Sequence, residues 1–508
     1  MLNTTTPVSK RSRTMVWVAI TTVLLVALSD VLLFDAATGI NVFLVAFAIA
    51  SANLALAWRR RRFRQGLIGW VTALVLSFPL FEAVTLISLA LSASGLGLAA
   101  LIAGRMLPRD IERMPSLLLR FLVPAPIRLV RDAATLRPAL NQHWGRKAAR
   151  WLVAWVVPLC LGAVFLNLFA AANPLIETVL SAARPPNLLS LIKPNRMMFW
   201  LALAACIWAV LRPKLLRSRH QQASEKTVMP DNSTWLGSAA IFRSLLVFNA
   251  LFAIQTSMDL VYLWGGVALP EGMSHAEYAH RGAYPLIVTA LLAGAFVLVA
   301  MRERSPVRED RIIKALVYLF IVQNVLLCLS AMLRLKLYVE VYYLTELRLV
   351  AGIWMGLVAV GLVLIIVRIW LRRSNGFLVA TNLLSLTVVL YASAMVDLSS
   401  YIARFNVEHS LELTGEGMSA DLDYLRELGP SAIPAIDGLI AQLVLGTSFW
   451  ARAVATRSAL AGELLSSGRD LRGWSWRTER LKHYLAIQEV VSAPPTRHNE
   501  RVSGGEVS

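Results

Sequence analysis

INVFLVAFAIASANLALAWRRRRFR, residues 40–64, decides the fold. Residues 40–58 carry no charged side chain, and Arg59, Arg60, Arg61, Arg62 and Arg64 follow at once. An α-helix needs about 20 apolar residues to cross the hydrocarbon of a bilayer. Arginine concentrates on the cytoplasmic side of such helices. The stretch therefore reads as a membrane-spanning helix that ends in a cytoplasmic stop.

The rest of the chain repeats that text. It has 508 residues, of which 57% are hydrophobic and only 16% charged, with a mean hydropathy of +0.60. A soluble protein of this length keeps more charge on its surface. A transmembrane β-barrel would alternate polar and apolar residues in short segments, and these runs are continuous. The net charge of +19 invites a nucleic-acid reading. The basic residues instead flank apolar runs on alternate sides, so the lipid bilayer, with anionic headgroups at the cytoplasmic basic loops, is the expected partner and nucleic acid is not.

Lys10, Arg11 and Arg13 precede a first apolar run at about 15–34. It is too long for a signal peptide and is followed by many similar runs, so it reads as an uncleaved helix whose N-terminal residues, 1–14, are cytoplasmic. Further runs fall at about 40–58, 67–83, 85–104, 148–170, 198–211, 240–264, 284–301, 312–333, 347–371 and 377–396. The expected fold is all-α: a polytopic helical membrane bundle of about eleven spans over 15–396. The basic cytoplasmic loop 105–147 carries the patches SLLLRFLV (116–123) and IRLV (127–130). These suit an amphipathic helix on the inner membrane face, or else a helical hairpin packed on the bundle.

An odd span count puts the segment after 396 outside, in a bacterial inner (plasma) membrane. There the composition turns polar, and DLDYLRELGPSAIPAIDGLIAQLV (421–444) shows helical spacing broken at Gly429-Pro430. Residues 397–490 read as a small helical non-cytoplasmic domain and 491–508 as a disordered tail. A protein partner would be met through 397–508.

Ionisable groups in a membrane protein pose functional questions by default. In the seventh run, Ser244, Gln255 and Asp259 fall within roughly 60° on a helix, while Asn249 lies beside Thr256 on another arc. That breadth fits polar glue to more than one neighbouring helix. Many ionisable groups gather at the outer level of Asp259. They are Asp30, Glu271, Glu277, His280, Arg281, Glu340, Glu346, Arg348 and Asp397. The expectation is one outward-facing polar site.

EGMSHAEYAHRG, residues 271–282, is the densest of these stretches. His275 and His280 lie about 140° apart on a helix, which rules out the zinc motif with histidines at i and i+4. Glu277 and His280 have the spacing of a di-iron bundle, but no second copy exists. The plainer account is a helix start, with Ser274 as cap and Glu277 paired to Arg281. Cys160, Cys206 and Cys328 lie in apolar runs and read as small buried apolar residues. No phosphate-binding or dinucleotide motif and no nucleophile elbow is present, so no cofactor and no catalytic or metal residue is assigned.

Several blocks resemble a bacterial family of polytopic membrane proteins known only as a domain of unknown function, numbered four-one-seven-three. They are SMDLVYLWGGVALPEGMSHAEYAHRGAYPLIVTALLAG (257–294) and YVEVYYLTELRLVAGIWMGLVAVGLVLIIVRIW (338–370), with LSDVLLF (28–34), ANPLIE (172–177), DYLRELGPSAIPAI (423–436) and WSW (474–476). The resemblance runs from about 20 to 480 and implies the span count and outer domain, but no activity. The sequence favours a non-enzymatic role, in transport or in envelope signalling and assembly. The alternative is an envelope enzyme acting on lipid or glycan at the outer leaflet through Glu277 and His280.

Overall fold

The computed structural model describes residues 10–107, 194–213, 238–265, 310–467 and 470–492, together with Leu117, Leu129, Arg131, Asp132, Thr289, Leu292 and Phe296. Every described element is helical. The first six are α1 (Lys10–Leu33), α2 (Ile40–Arg59), α3 (Phe63–Ser77), α4 (Pro79–Glu82), α5 (Leu86–Gly104) and α6 (Pro194–Leu211). Then come α7 (Ser238–Met258), α8 (Arg311–Tyr342), α9 (Glu346–Trp370) and α10 (Asn375–Met395). Among the described residues eight helical segments, α3 and α4 counted as one, are long and apolar enough to cross a membrane, and α6 is a shorter apolar one. The protein is an all-α bundle of membrane type. The expected span at 148–170, and nearly all of the span at 284–301 and of the loop 105–147, lie outside the described residues.

Local sequence explains where the helices begin and break. Thr85 and Ser88 form a reciprocal capping box at the start of α5. Asp310, Thr345 and Ser374 accept first-turn N–H bonds at α8, α9 and α10. Pro79 stands at the first position of α4, just where α3 stops, so the run expected at 67–83 is a helix in two pieces. The expected seventh run is α-helical only to Met258, and Asp259–Trp264 form a π-helical turn. Such turns are rare, occur mostly as single turns within α-helices and are frequent at functional sites. The run expected to end at 333 continues as α8 to Tyr342, so Glu340 stands on a helix and not in a loop. Cys328 is buried as expected, whereas Cys206 is exposed on the outside of α6.

Helix pairs without a hydrophobic drive between them rely on close packing. Gly69 lies against Ala99 and Gly95 against Ala73, which lets α3 and α5 meet backbone to backbone. The N-terminal helices share a core around Val45, Ile49, Leu101 and Ile207. A second core, around Leu245, Phe320, Ile321 and Leu362, unites α7, α8 and α9.

Beyond α10 the chain forms α11 (Leu398–Glu408), α12 (Leu411–Thr414), α13 (Leu422–Glu427), α14 (Ile433–Ile440), α15 (Ser448–Ser467) and α16 (Trp476–Ser492). Gly429, at φ +76, supplies the left-handed residue at the break between α13 and α14. Ile402, Leu425, Ile433, Ile436, Leu439 and Leu460 are buried in one core, which also takes Val339 and Leu344 from the α8–α9 end. Burying each such side chain is worth about 1.5–3 kcal/mol. The C-terminal helices thus close over one end of the bundle. At the α1–α2 turn, Gly39 meets the backbone of Gly473 and Trp474 so closely that a Cβ would clash, and the Ile40 N–H donates to the Trp474 carbonyl at 2.7 Å.

Candidate functional site

The expected outer residues fall at several places, each with its own partners. Asp30, buried near the end of α1, accepts hydrogen bonds from Arg196 Nε and Trp200 Nε1, both at 2.8 Å, on α6. The Arg196 guanidinium also lies over the Phe34 and Trp200 rings. Asp259 pairs with Arg334 of α8 and accepts a bond from Gln255 at 3.1 Å. Both members of that pair are almost fully buried, at 1% and 4% side-chain exposure. Asn249, on the other arc of α7, donates to the Leu316 carbonyl at 3.1 Å, and Gln323 donates to the Asn249 carbonyl at 3.4 Å. The expected glue thus includes a polar seam to α8.

Glu346 and Asp397 sit where the C-terminal helices meet the bundle. The Glu346 N–H donates to the Tyr424 hydroxyl at 3.0 Å, and Ser399 Oγ donates to its carboxylate at 3.4 Å. Asp397 caps α11 and accepts from Ser431 at 2.8 Å. Arg477 bridges Asp397, at 3.4 Å, to the buried Glu82 of α4, at 3.5 Å. Arg480 also pairs with Glu82. Asn406 clasps the α8–α9 turn through both ends of its amide, accepting from the Leu344 N–H at 2.8 Å and donating to the Leu344 carbonyl at 2.9 Å. Glu271, Glu277, His280 and Arg281 lie outside the described residues, as do Ser274 and His275.

Glu340 and Arg348 are brought together, at the mouth of a cleft of about 1290 Å³. That exceeds the roughly 300–1,000 Å³ of an ordinary small-molecule site. Its floor is the α9 face bearing Gly352 and Gly356, and a Cβ built on Gly356 would meet nothing within 4 Å. Leu335 and Val339 of α8 form one wall, and Leu384 and Val388 of α10 the other. Tyr401, Phe405 and His409 of α11 roof it. The lining is mostly apolar along the membrane-spanning helices and polar at the domain end. Lys336 and Glu340 pair there at 3.7 Å on an exposed helical turn. Arg348 donates to the Tyr342 and Tyr343 carbonyls and lies over the Tyr338 ring, 4.5 Å from its centroid. The His409 ring stacks on Phe405 with centroids 4.2 Å apart.

Sequence reasoning missed Arg196, Arg334 and Arg477 as partners of Asp30, Asp259 and Asp397, and did not choose the buried Glu82 with its partner Arg480. A carboxylate buried at a helix end is costly without a cation, so Asp30 and Asp259 were themselves the signal. Lys336 and His409 carried only a weak signal, because lysine or histidine near a helix end usually just faces water.

Among the described residues no cluster of three or more histidine, cysteine or acidic side chains could hold a metal ion. No curated protein and no solved structure matches the chain. One family model does, over residues 20–439, and it describes a domain of unknown function, as the resemblance implied, with the number 4153 in place of four-one-seven-three. That match covers most of the chain and takes in the bundle, the cleft and the first part of the C-terminal helices, so the chain belongs to the family of this domain of unknown function (DUF4153).

Proposed function

We propose that this integral membrane protein acts without catalysis, in transport or in envelope signalling and assembly, by seating an amphiphile in the α8–α10 cleft. The observation that carries this reading is the cleft itself: an apolar groove along membrane-spanning helices, with Lys336, Glu340 and Arg348 at one end. An acyl chain suits the groove, and a charged headgroup suits the mouth. The C-terminal helices roof the cleft through α11 and grip the α8–α9 turn through Asn406, so an occupant would bear directly on them. That supports a relay between cleft and C-terminal domain, and a partner met through 397–508.

The arginine-rich helix ends lie opposite the C-terminal helices. On the positive-inside rule this supports a cytoplasmic N-terminus and a non-cytoplasmic C-terminal domain in a bacterial plasma membrane. The mouth of the cleft would then stand at the outer leaflet.

Gly356→Leu tests the reading, because it puts a side chain into open space. The full chain, purified in mild detergent, is expected to retain an amphiphile seen by native mass spectrometry, and the variant to lose it while melting like the parent. Equal retention by both proteins would overturn the proposal. So would a change of oligomeric state in the variant without any change in bound amphiphile, since a glycine-x-x-x-glycine face can also receive another helix.

A further inference from the structure

The opposite end of the bundle holds a different pocket. It is about 530 Å³, lies beside the ends of α2 and α5 and the start of α3, and is lined by Trp58, Arg61, Phe63, Arg64, Gln65 and Arg105. Among the described residues, three cations and no acid line it. We infer that this pocket binds the phosphodiester headgroup of an anionic membrane phospholipid.

The arginine run divides its labour. Arg60 donates to the Leu211 carbonyl at 3.1 Å and Arg62 to the Gly104 carbonyl at 3.0 Å, so these two close the ends of α6 and α5. Arg61 and Arg64 are left exposed at the pocket with Arg105, and among the described residues none of the three makes an ion pair. Cations crowd this end. Burial first, then Arg62 and Arg212, push the Arg60 guanidinium below its ordinary range.

Arg61 and Arg105 have φ +58 and +54, the left-handed conformation in which glycine is at ease. Each follows the last turn of a helix. The Arg62 N–H reaches back to the Ala57 carbonyl and the Met106 N–H to that of Leu101, both at 2.9 Å. Arginine in such a position is strained where glycine would not be. A cation at a helix C-terminus offsets part of that, and Arg372 does the same after α9, outside this pocket, at φ +52. The helix ends therefore explain each arginine singly. They do not explain why two strained arginines and Arg64 converge on one pocket.

A guanidinium matches phosphate oxygens with two parallel hydrogen bonds. The first turn of α3 adds N–H groups that no side chain caps. A lipid is favoured over a soluble phosphate by the surroundings. Trp58 and Phe63 stand exposed with ring centroids 5.9 Å apart, as aromatics do at a membrane interface. Leu67 and Ile68 continue the exposed apolar surface on α3, where acyl chains would lie.

The test uses the full chain in detergent, titrated with phosphatidylglycerol or phosphatidylcholine and read by native mass spectrometry. The triple variant Arg61→Gly, Arg64→Gln, Arg105→Gly keeps the backbone at ease at both left-handed positions, so folding is preserved. It is expected to bind phosphatidylglycerol roughly a hundredfold more weakly than the parent. Phosphatidylcholine binding and melting in phosphatidylcholine should be unchanged. Arg372→Gly removes the same kind of helix-end arginine outside the pocket and should leave phosphatidylglycerol binding intact. Parent-like affinity in the triple variant would overturn the inference, as would an equal loss in Arg372→Gly. Millimolar inorganic phosphate that displaces the lipid completely would overturn the choice of a lipid over a soluble anion.

Discussion

The two ends of the bundle use arginine in opposite ways. At the end covered by the C-terminal helices, Arg196, Arg334, Arg477 and Arg480 each pair with an acid contributed by a different helix. At the other end Arg60 and Arg62 bond to backbone carbonyls, Arg212 pairs with Asp132, and Arg61, Arg64 and Arg105 stay exposed. Arginine ties helices together where acids accompany it and offers charge outward where they do not.

The deepest pair breaks this contrast most sharply. Arg334→Leu leaves Asp259 buried without its cation, and Asp259→Asn leaves Arg334 buried without its acid. Removing one partner of a buried pair costs about 3–5 kcal/mol. Each single variant is therefore expected to lower the melting temperature strongly, and the double variant Asp259→Leu, Arg334→Leu to recover much of the loss. Arg196→Leu should cost less, because that guanidinium is 29% exposed and can be screened. Equal melting losses at the two sites would show that burial does not set the strength of the ties.

The clamp on the C-terminal helices comes next. Glu82 is buried and receives Arg477 and Arg480 from the far end of the chain. Glu82→Gln weakens both contacts, each a charge-assisted bond worth about 1.5–3 kcal/mol when well formed. Hydrogen exchange should rise in α16 and at the α1–α2 turn it holds, with α2, α3 and α5 unaffected. Exchange that rises evenly through the bundle would mean that Glu82 supports the helices rather than the joint.

Much of this was legible in sequence, for reasons that differ by residue. The arginine stop after Trp58 and the apolar runs follow from lipid thickness and charge, which act on consecutive residues. The break at Gly429-Pro430 is local chemistry as well. The ion pairs join residues far apart in the chain, such as Asp30 with Arg196 and Glu82 with Arg480, and no local pattern encodes that distance. The π-turn at Asp259 escapes any reading at 100° per residue. YVEVYY fell outside the apolar run because its Glu340 ends the hydrophobic text, yet Lys336 and Glu340 form an i, i+4 pair on the last exposed turns of α8. The cleft was the least legible feature, since its floor is defined by side chains that Gly352 and Gly356 lack.

The smallest expected effect concerns acid. Burial raises the Glu412 carboxyl, but hydrogen bonds from Ser419 Oγ and the Ala420 N–H outweigh it and hold the group below the usual carboxylate range. A carboxyl lowered in the folded state stabilises above its unfolded value, and that contribution fades as pH falls through the folded one. The segment after α11 should therefore loosen slightly in mild acid. Tyr343 reads the change, since its hydroxyl donates to the Met418 carbonyl, and burial together with Glu412 pushes the pKa of that hydroxyl up. Glu412→Gln should flatten the acid limb of exchange at residues 411–420 and leave the neutral value nearly unchanged. The helix ends around Arg61 and Arg105 carry no carboxyl among their described residues, so exchange there should be indifferent over the same range. A matching acid response at both ends would mean that the titration belongs to the bundle as a whole and not to the acids that join the C-terminal helices to it.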